Sequence, residues 1–132
     1  MKPKDVRTSL AMSRVPQKRT APEEKVARVL RALGVSYRRN VRSLPGSPDF
    51  ANRAKGWAIQ VHGCFWHQHD CPRGTVPAHN RADWETKFER NRQRDSEKEA
   101  LLVAQGLRVL TIWECELKDA SRLREIVAAH VR

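Results

Sequence analysis

Trp57-Ala58-Ile59-Gln60-Val61-His62-Gly63-Cys64-Phe65-Trp66-His67-Gln68-His69-Asp70-Cys71 is the stretch around which this chain organises itself. Trp57, Ile59 and Val61 alternate with their neighbours, the period of a strand with one face against a core. From His62 to Cys71 the strand gives way to ten residues holding three imidazoles, two thiols and an adjacent aromatic pair. Imidazole and thiolate together suggest zinc, and a spare imidazole suggests proton transfer. Two neighbouring rings on a basic protein suggest contact with nucleic-acid bases.

Upstream, Lys55-Gly56 and Leu44-Pro45-Gly46-Ser47-Pro48 are turn material, the second leading into Asp49-Phe50. Val35 and Tyr37 alternate with polar residues, which predicts a short strand there. Before them, Thr20-Ala21-Pro22-Glu23 reads as a helix start, with Thr20 as cap and Glu23 as the reciprocal partner. Val26, Val29, Leu30 and Leu33 follow at helical spacing, and Gly34 is a natural stop. Residues 1–19 read as a mobile basic arm with Met12 and Val15 as isolated apolar points.

Downstream, Pro72 to Pro77 is irregular. The dense charges from Arg81 to Gln105 predict one long helix or two, with Trp84, Phe88, Leu101 and Leu102 marking an inner face. Gly106 ends it, residues 107–113 (Leu-Arg-Val-Leu-Thr-Ile-Trp) form a hydrophobic strand, and Ser121 starts a last helix with Leu123, Ile126 and Val127 inward. The order α-β-β-α-β-α describes a compact α/β domain over residues 20–132, in which 81–113 is the crossover between neighbouring strands.

Composition narrows the function. The chain has 132 residues, the size of one domain, and carries 26 Lys and Arg against 15 Asp and Glu. Residues 1–22 hold six basic and one acidic side chain and residues 23–80 hold nine and four, whereas residues 81–99 balance at six and six. The surplus therefore sits beside the His/Cys run and implies a polyanionic partner. No apolar run approaches membrane-spanning length, and the basic N-terminus lacks the apolar stretch of a secretory signal. Three cysteines make no complete disulfide framework, so a reducing cytoplasmic compartment is expected, with thiols free or on metal.

Cys64, His69 and Cys71 offer ligands at spacings of five and two, and Cys115 offers a fourth at the end of the last strand. Four ligands of this kind suit a structural zinc that staples the loop to the sheet. The plainer reading makes Cys64 and Cys115 small buried hydrophobes. Asp49 stands eleven residues before Gln60-Val61-His62. A carboxylate at one strand start, facing polar groups on the next strand, is a cradle for Mg²⁺. Glu23 would add a second oxygen; otherwise Asp49 is a turn carboxylate and Glu23 half of a capping box. With His69 on zinc, His62 and His67 remain for proton transfer at a phosphate.

These residues together resemble a known family. Leu44-Pro45-Gly46-Ser47-Pro48-Asp49-Phe50, then Val61-His62-Gly63-Cys64-Phe65-Trp66-His67 with His69 and Cys71, then Ile112-Trp113-Glu114-Cys115, are similar to the bacterial very short patch repair endonucleases. That family belongs to the restriction-endonuclease-like superfamily, and the resemblance runs from about Met12 to the end of the chain. It implies a central mixed sheet flanked by helices. It also implies a Mg²⁺-dependent nick in one strand, 5′ to the thymine of a T·G mismatch. By the same resemblance Asp49 is the Mg²⁺-binding aspartate, Val61 serves the metal through its main-chain carbonyl, His67 activates water, His62 is a second active-site histidine and Glu23 supports the metal and water. Cys64, His69, Cys71 and Cys115 match the zinc ligands. Phe65 and Trp66 match an intercalating wedge, Met12 and Val15 the arm residues entering opposite, and Lys87 and Asn91 contacts near the mismatch.

Two positions depart from the pattern: Val61 stands where threonine is usual, and Gln68 and Asp70 interrupt a fuller histidine run. The expected partner is double-stranded DNA carrying the mismatch, with mismatch-repair proteins as further partners. The expected setting is a bacterial, nucleoid-associated monomer in the cytoplasm, since one mismatch has no two-fold symmetry. The alternatives are a noncatalytic zinc-stabilised DNA-binding module, or a nuclease of this fold acting on another mismatch, a modified base or undamaged DNA in defence.

Overall fold

Pro22 in the first turn, with Glu23 and Glu24 at the positive end of the dipole, opens helix α1 (Ala21–Ala32). Gly34, at φ +69°, ends it, and the Val35 N–H donates back to the Leu30 carbonyl at 3.1 Å. The computed structural model describes residues 21–72 and 74–132. The basic arm of residues 1–19, with Met12 and Val15, and the Thr20 cap lie outside the described residues. Among those described, no helix is long and apolar enough to cross a membrane.

Four strands follow in one sheet of order β1-β2-β3-β4: β1 (Arg38–Arg39), β2 (Phe50–Asn52), β3 (Trp57–His62) and β4 (Arg108–Trp113). The first three are antiparallel neighbours and β3 runs parallel to β4, so the sheet is mixed. A parallel pair needs a long crossover. Helix α2 (Arg81–Ala104) supplies it, 24 residues in one piece. A 3₁₀ turn (Glu114–Lys118) and helix α3 (Ala120–Val131) complete the chain, the latter capped by Asp119, whose Oδ1 accepts from the Arg122 N–H at 3.1 Å.

The structure differs from the sequence expectation at three places. Val35 and Tyr37 pack on the core from a loop, and the first strand is Arg38–Arg39. A further strand, β2, follows the 44–48 turn, in line with the strand start read at Asp49 but absent from the expected element order; three residues are too few to display a period. Leu101 is 54% exposed, so the inner face of α2 consists of Phe88 and Leu102, with Trp84 half-buried.

The alternation of β3 divides the core. Trp57 and Ile59 face α1 and α3, packing with Val26, Leu30, Phe50, Ile112, Leu123 and Val127. Ala58 faces the other way, onto Leu102 and Leu107 at the end of α2. Burial of each large apolar side chain here stabilises the fold by about 1.5–3 kcal/mol. Gln60 and His62 share the Ala58 side by the two-residue period, which turns them toward α2. The β3–β4 register pairs His62 with Trp113. It follows that the residues just beyond each strand end, Cys64 and Cys115, are brought side by side.

Candidate active site and metal centre

Cys64, His69, Cys71 and Cys115 each offer a ligand atom, and all four atoms lie within 4.8 Å of one another. Cys64 is fully buried, and its sulfur accepts from the Cys115 N–H at 3.4 Å. Cys115 Sγ stands 3.5 Å from His69 Nδ1. A tetrahedral zinc with bonds of about 2.3 Å to sulfur and about 2.0–2.1 Å to nitrogen separates the two by about 3.5 Å, so the donor set fits. Glu116 Oε1 accepts from the Trp113 N–H at 2.9 Å and secures the turn that presents Cys115. The His69 ring stacks on Trp113, with centroids 4.2 Å apart. Burial, reinforced by the Cys115 and Cys71 thiols, pushes the Cys64 thiol up to about 11 against the lowering effect of the Cys115 N–H. A thiol so reluctant to ionise becomes a thiolate when a divalent cation is its neighbour.

One turn of chain away lies a cleft of about 880 Å³, whose lining includes Glu23, Asp49, His62, His67, Asp95 and Lys98. Asp49, just ahead of β2, accepts from the Val61 N–H through Oδ2 at 2.7 Å. Burial is the main cause that lifts its carboxyl to about 7; the Val61 N–H opposes this, and the adjacent, hydrogen-bonded Glu23 carboxyl adds to it. Glu23 is itself 5% exposed, with Arg39 at 3.6 Å. Two carboxyls this close are a natural seat for a hard divalent cation, which would relieve their mutual repulsion. The Val61 side chain packs against the α1/α3 core, and its N–H is the group seen to serve Asp49.

On the opposite wall the rings of His62 and His67 stack face to face, with centroids 3.9 Å apart and planes 5° from parallel. Burial, then the neighbouring His67, lowers His62 to about 4, so this ring is neutral near pH 7; its Nδ1 is buried without a hydrogen-bond partner. His67 Nδ1 stands 2.5 Å from Asp95 Oδ2, on α2. Burial alone would raise Asp95, but the hydrogen bond and charge of His67 hold it below the usual carboxylate range. A carboxylate there favours the tautomer with the proton on Nδ1 and leaves Nε2 as a base.

At the outer end of the cleft Trp66 is 41% exposed. Phe65 packs edge-on against Trp66, Trp84 and Phe88, with centroids 5.2–5.5 Å apart. Asn91 donates from Nδ2 to the Trp66 carbonyl at 2.9 Å, and Arg94 donates to Asn91 Oδ1 at 3.0 Å. Lys87, one turn before Asn91, also lines the cleft. Asp95 and Trp84 are the site residues that sequence reasoning missed. One lies among six acidic side chains of a charge-balanced segment, and the other falls on the predicted inner face of the helix.

A family model described as DNA mismatch endonuclease Vsr matches residues 3–73 of this chain. A type II nicking enzyme, V.XorIIP, of Xanthomonas oryzae pv. oryzae is 42% identical over 120 residues, 88% of either chain. The chain belongs to the Vsr family of DNA mismatch endonucleases. The DNA mismatch endonuclease Vsr of Escherichia coli K12 is 39% identical over 106 residues, which are 80% of this chain and 68% of that one. The nicking enzyme V.NmeAIP of Neisseria meningitidis is 36% identical over 124 residues, 94% of this chain and 89% of the relative. Membership in the Vsr family makes the protein a nuclease, a hydrolase of phosphodiester bonds. The basic surplus and the cleft agree with DNA as its partner.

Proposed function

We propose that this protein nicks one strand of duplex DNA on the 5′ side of the thymine in a T·G mismatch. The observation that carries the reading is one cleft in which half-buried Asp49 and buried Glu23 face the stacked His62 and His67, with His67 held by Asp95. Relatives described as nicking enzymes support cleavage of a single strand.

Asp49 and Glu23, with the Val61 main-chain carbonyl, are the residues that would hold Mg²⁺. Bound there, the ion would neutralise charge building on the phosphate oxygens and lower the pKa of a bound water. His67 Nε2 takes the proton of the attacking water as oxygen adds to phosphorus. The bond from phosphorus to the leaving sugar oxygen breaks, and that oxygen takes a proton from solvent water. Asp95 holds the His67 ring in position and stabilises the imidazolium once it forms. His62, neutral and stacked on His67, excludes water from one face of the base and leaves its second nitrogen to the phosphate. Zinc on Cys64, His69, Cys71 and Cys115 would hold the wedge loop rigid and take no part in the chemistry.

Trp66, with Phe65 behind it, enters the stack at the mismatch, where unstacking costs less than in paired DNA. Lys87 and Asn91 lie along that path, and the arm with Met12 and Val15 reaches the duplex from the other groove. The protein acts as a monomer. The test is strand-resolved cleavage of T·G, other mismatched and fully paired duplexes with Mg²⁺. The expected result is one cut, 5′ to the mismatched thymine. Binding without a cut in any duplex, or equal cutting of paired DNA, overturns the reading.

A further inference from the structure

We propose that Lys98 is the catalytic cation of this cleft, its ammonium contacting a non-bridging oxygen of the scissile phosphate between Asp49 and His67. The assignment rests on the endonuclease reading above and extends it to a residue on the crossover helix.

Three observations carry it. Lys98 follows Asp95 by three residues on α2, so the two side chains share the helix face that lines the cleft. Its stem is held by the turn on the other side. A Cβ built on Gly46 would stand 2.7 Å from Lys98 Cγ, 2.8 Å from Cδ and 2.9 Å from Cβ. Gly46, at φ +72°, therefore gives both the turn and the groove in which the aliphatic chain lies. The half-buried Lys98 is thus directed before DNA arrives, and less freedom is lost when it engages an anion. Finally, it shares the cleft with Asp49, His62 and His67, and its charge helps hold Asp95 below the usual carboxylate range.

The chemistry needs such a group. The cleft presents Glu23, Asp49 and Asp95 to a phosphate that is itself an anion and gains charge on its oxygens during attack. His62 is stacked on His67, and His67 is engaged with Asp95. Arg42 and Arg94 line the same cleft but are exposed. Lys87 is eleven residues back along α2, about 16 Å at 1.5 Å per residue, toward the wedge. Arg92 lines a neighbouring pocket with both histidines but is also exposed, which leaves Lys98 as the half-buried cation of this wall among the described residues.

The experiment is steady-state nicking of a T·G duplex with Mg²⁺ by the zinc-loaded full chain, its Lys98→Met variant, which keeps the stem, and Lys98→Arg. Zinc content and thermal midpoint are measured for each. The expected result is a kcat about 10–100-fold lower for Lys98→Met with KM within about 3-fold of the parent, as for loss of an interaction made in the transition state. Lys98→Arg recovers a large part of that loss. A parent-like kcat in Lys98→Met overturns the assignment. So does a loss that falls on KM and salt dependence, the mark of a remote phosphate contact, or a Lys98→Arg variant no better than Lys98→Met. A parent that cuts no duplex overturns the endonuclease reading and the assignment together; an active parent with an unaffected Lys98→Met overturns the assignment alone.

Discussion

The Oδ2 of Asp95 stands 2.5 Å from Nδ1 of His67 and joins the crossover helix to the His/Cys loop at the proposed catalytic base. His67→Ala removes the base, and nicking is expected to fall to background. Asp95→Asn keeps the shape of the side chain but loses the charge that opposes an imidazolium. We expect kcat to drop on the order of 10²–10⁴-fold with duplex affinity almost unchanged. Single-turnover nicking alongside equilibrium binding checks this. Parent-like turnover in either purified, zinc-loaded variant would refute the role given to the pair.

Asp49 sets function against stability. Its carboxyl is lifted from 3.8 to about 7, so the metal-free folded state holds a proton that the unfolded chain has released. The folded protein binds more protons between those values, so this contribution is present below pH 3.8 and is lost as pH rises through about 7. Asp49→Asn still accepts from the Val61 N–H but never ionises. It should be more stable than the metal-free parent above pH 7, by on the order of 1–2 kcal/mol after discounting for solvent reaching a half-buried group. Its nicking should be abolished, and Mg²⁺ should raise the melting temperature of the parent but not of the variant. Melting curves at pH 5 and pH 8, with and without Mg²⁺, test the sign; a variant less stable than the parent at pH 8 is the contrary result.

The four soft ligands make a separate, structural prediction. Cys71→Ser or Cys115→Ser should reduce bound zinc from one equivalent to none and lower the thermal midpoint by on the order of 10 °C. The loss comes from freeing a loop with little apolar burial of its own, so strong chelation of the parent should have the same effect. Metal analysis and calorimetry check both. A stable, zinc-free Cys115→Ser protein with full nicking would mean that the quartet holds no structural ion.

Much of this was legible because the chemistry is concentrated at the end of one strand. The alternation of Trp57, Ile59 and Val61 defines β3, and a parallel neighbour at residues 107–113 follows from the hydrophobic run and its crossover. Cys64 and Cys115 then meet through register, two residues past the paired His62 and Trp113. Asp95 was not legible. Its role arises only when α2 is laid across the Ala58–Gln60–His62 face, and nothing local separates it from Glu97 or Glu99. Strand β2 escaped for a different reason, its three residues being held by pairing with β3 and by burial of Phe50 and Ala51. The long helix hid its contacts likewise, since its dense charges mask a short apolar face made of Phe88 and Leu102.

The proposed wedge offers the sharpest separation of fold from recognition. Trp66 is 41% exposed, whereas Phe65 is packed against Trp84 and Phe88. Trp66→Ala should therefore change stability by less than about 1 kcal/mol while weakening mismatch binding by about 1–3 kcal/mol, the worth of one ring stacked on a base. Phe65→Ala should do the reverse first, lowering the thermal midpoint because it opens the aromatic cluster. Asn91 connects the two effects, since its amide holds the Trp66 carbonyl at 2.9 Å. Asn91→Ala frees the wedge backbone without touching the ring, so its binding loss should be smaller than that of Trp66→Ala. The double variant should then lose less than the sum, because a freed backbone matters only while the ring is present to be aimed. Titration of T·G and paired duplexes with all four proteins decides it. Equal losses on both duplexes would make Trp66 a general DNA contact, and full additivity would separate Asn91 from the wedge.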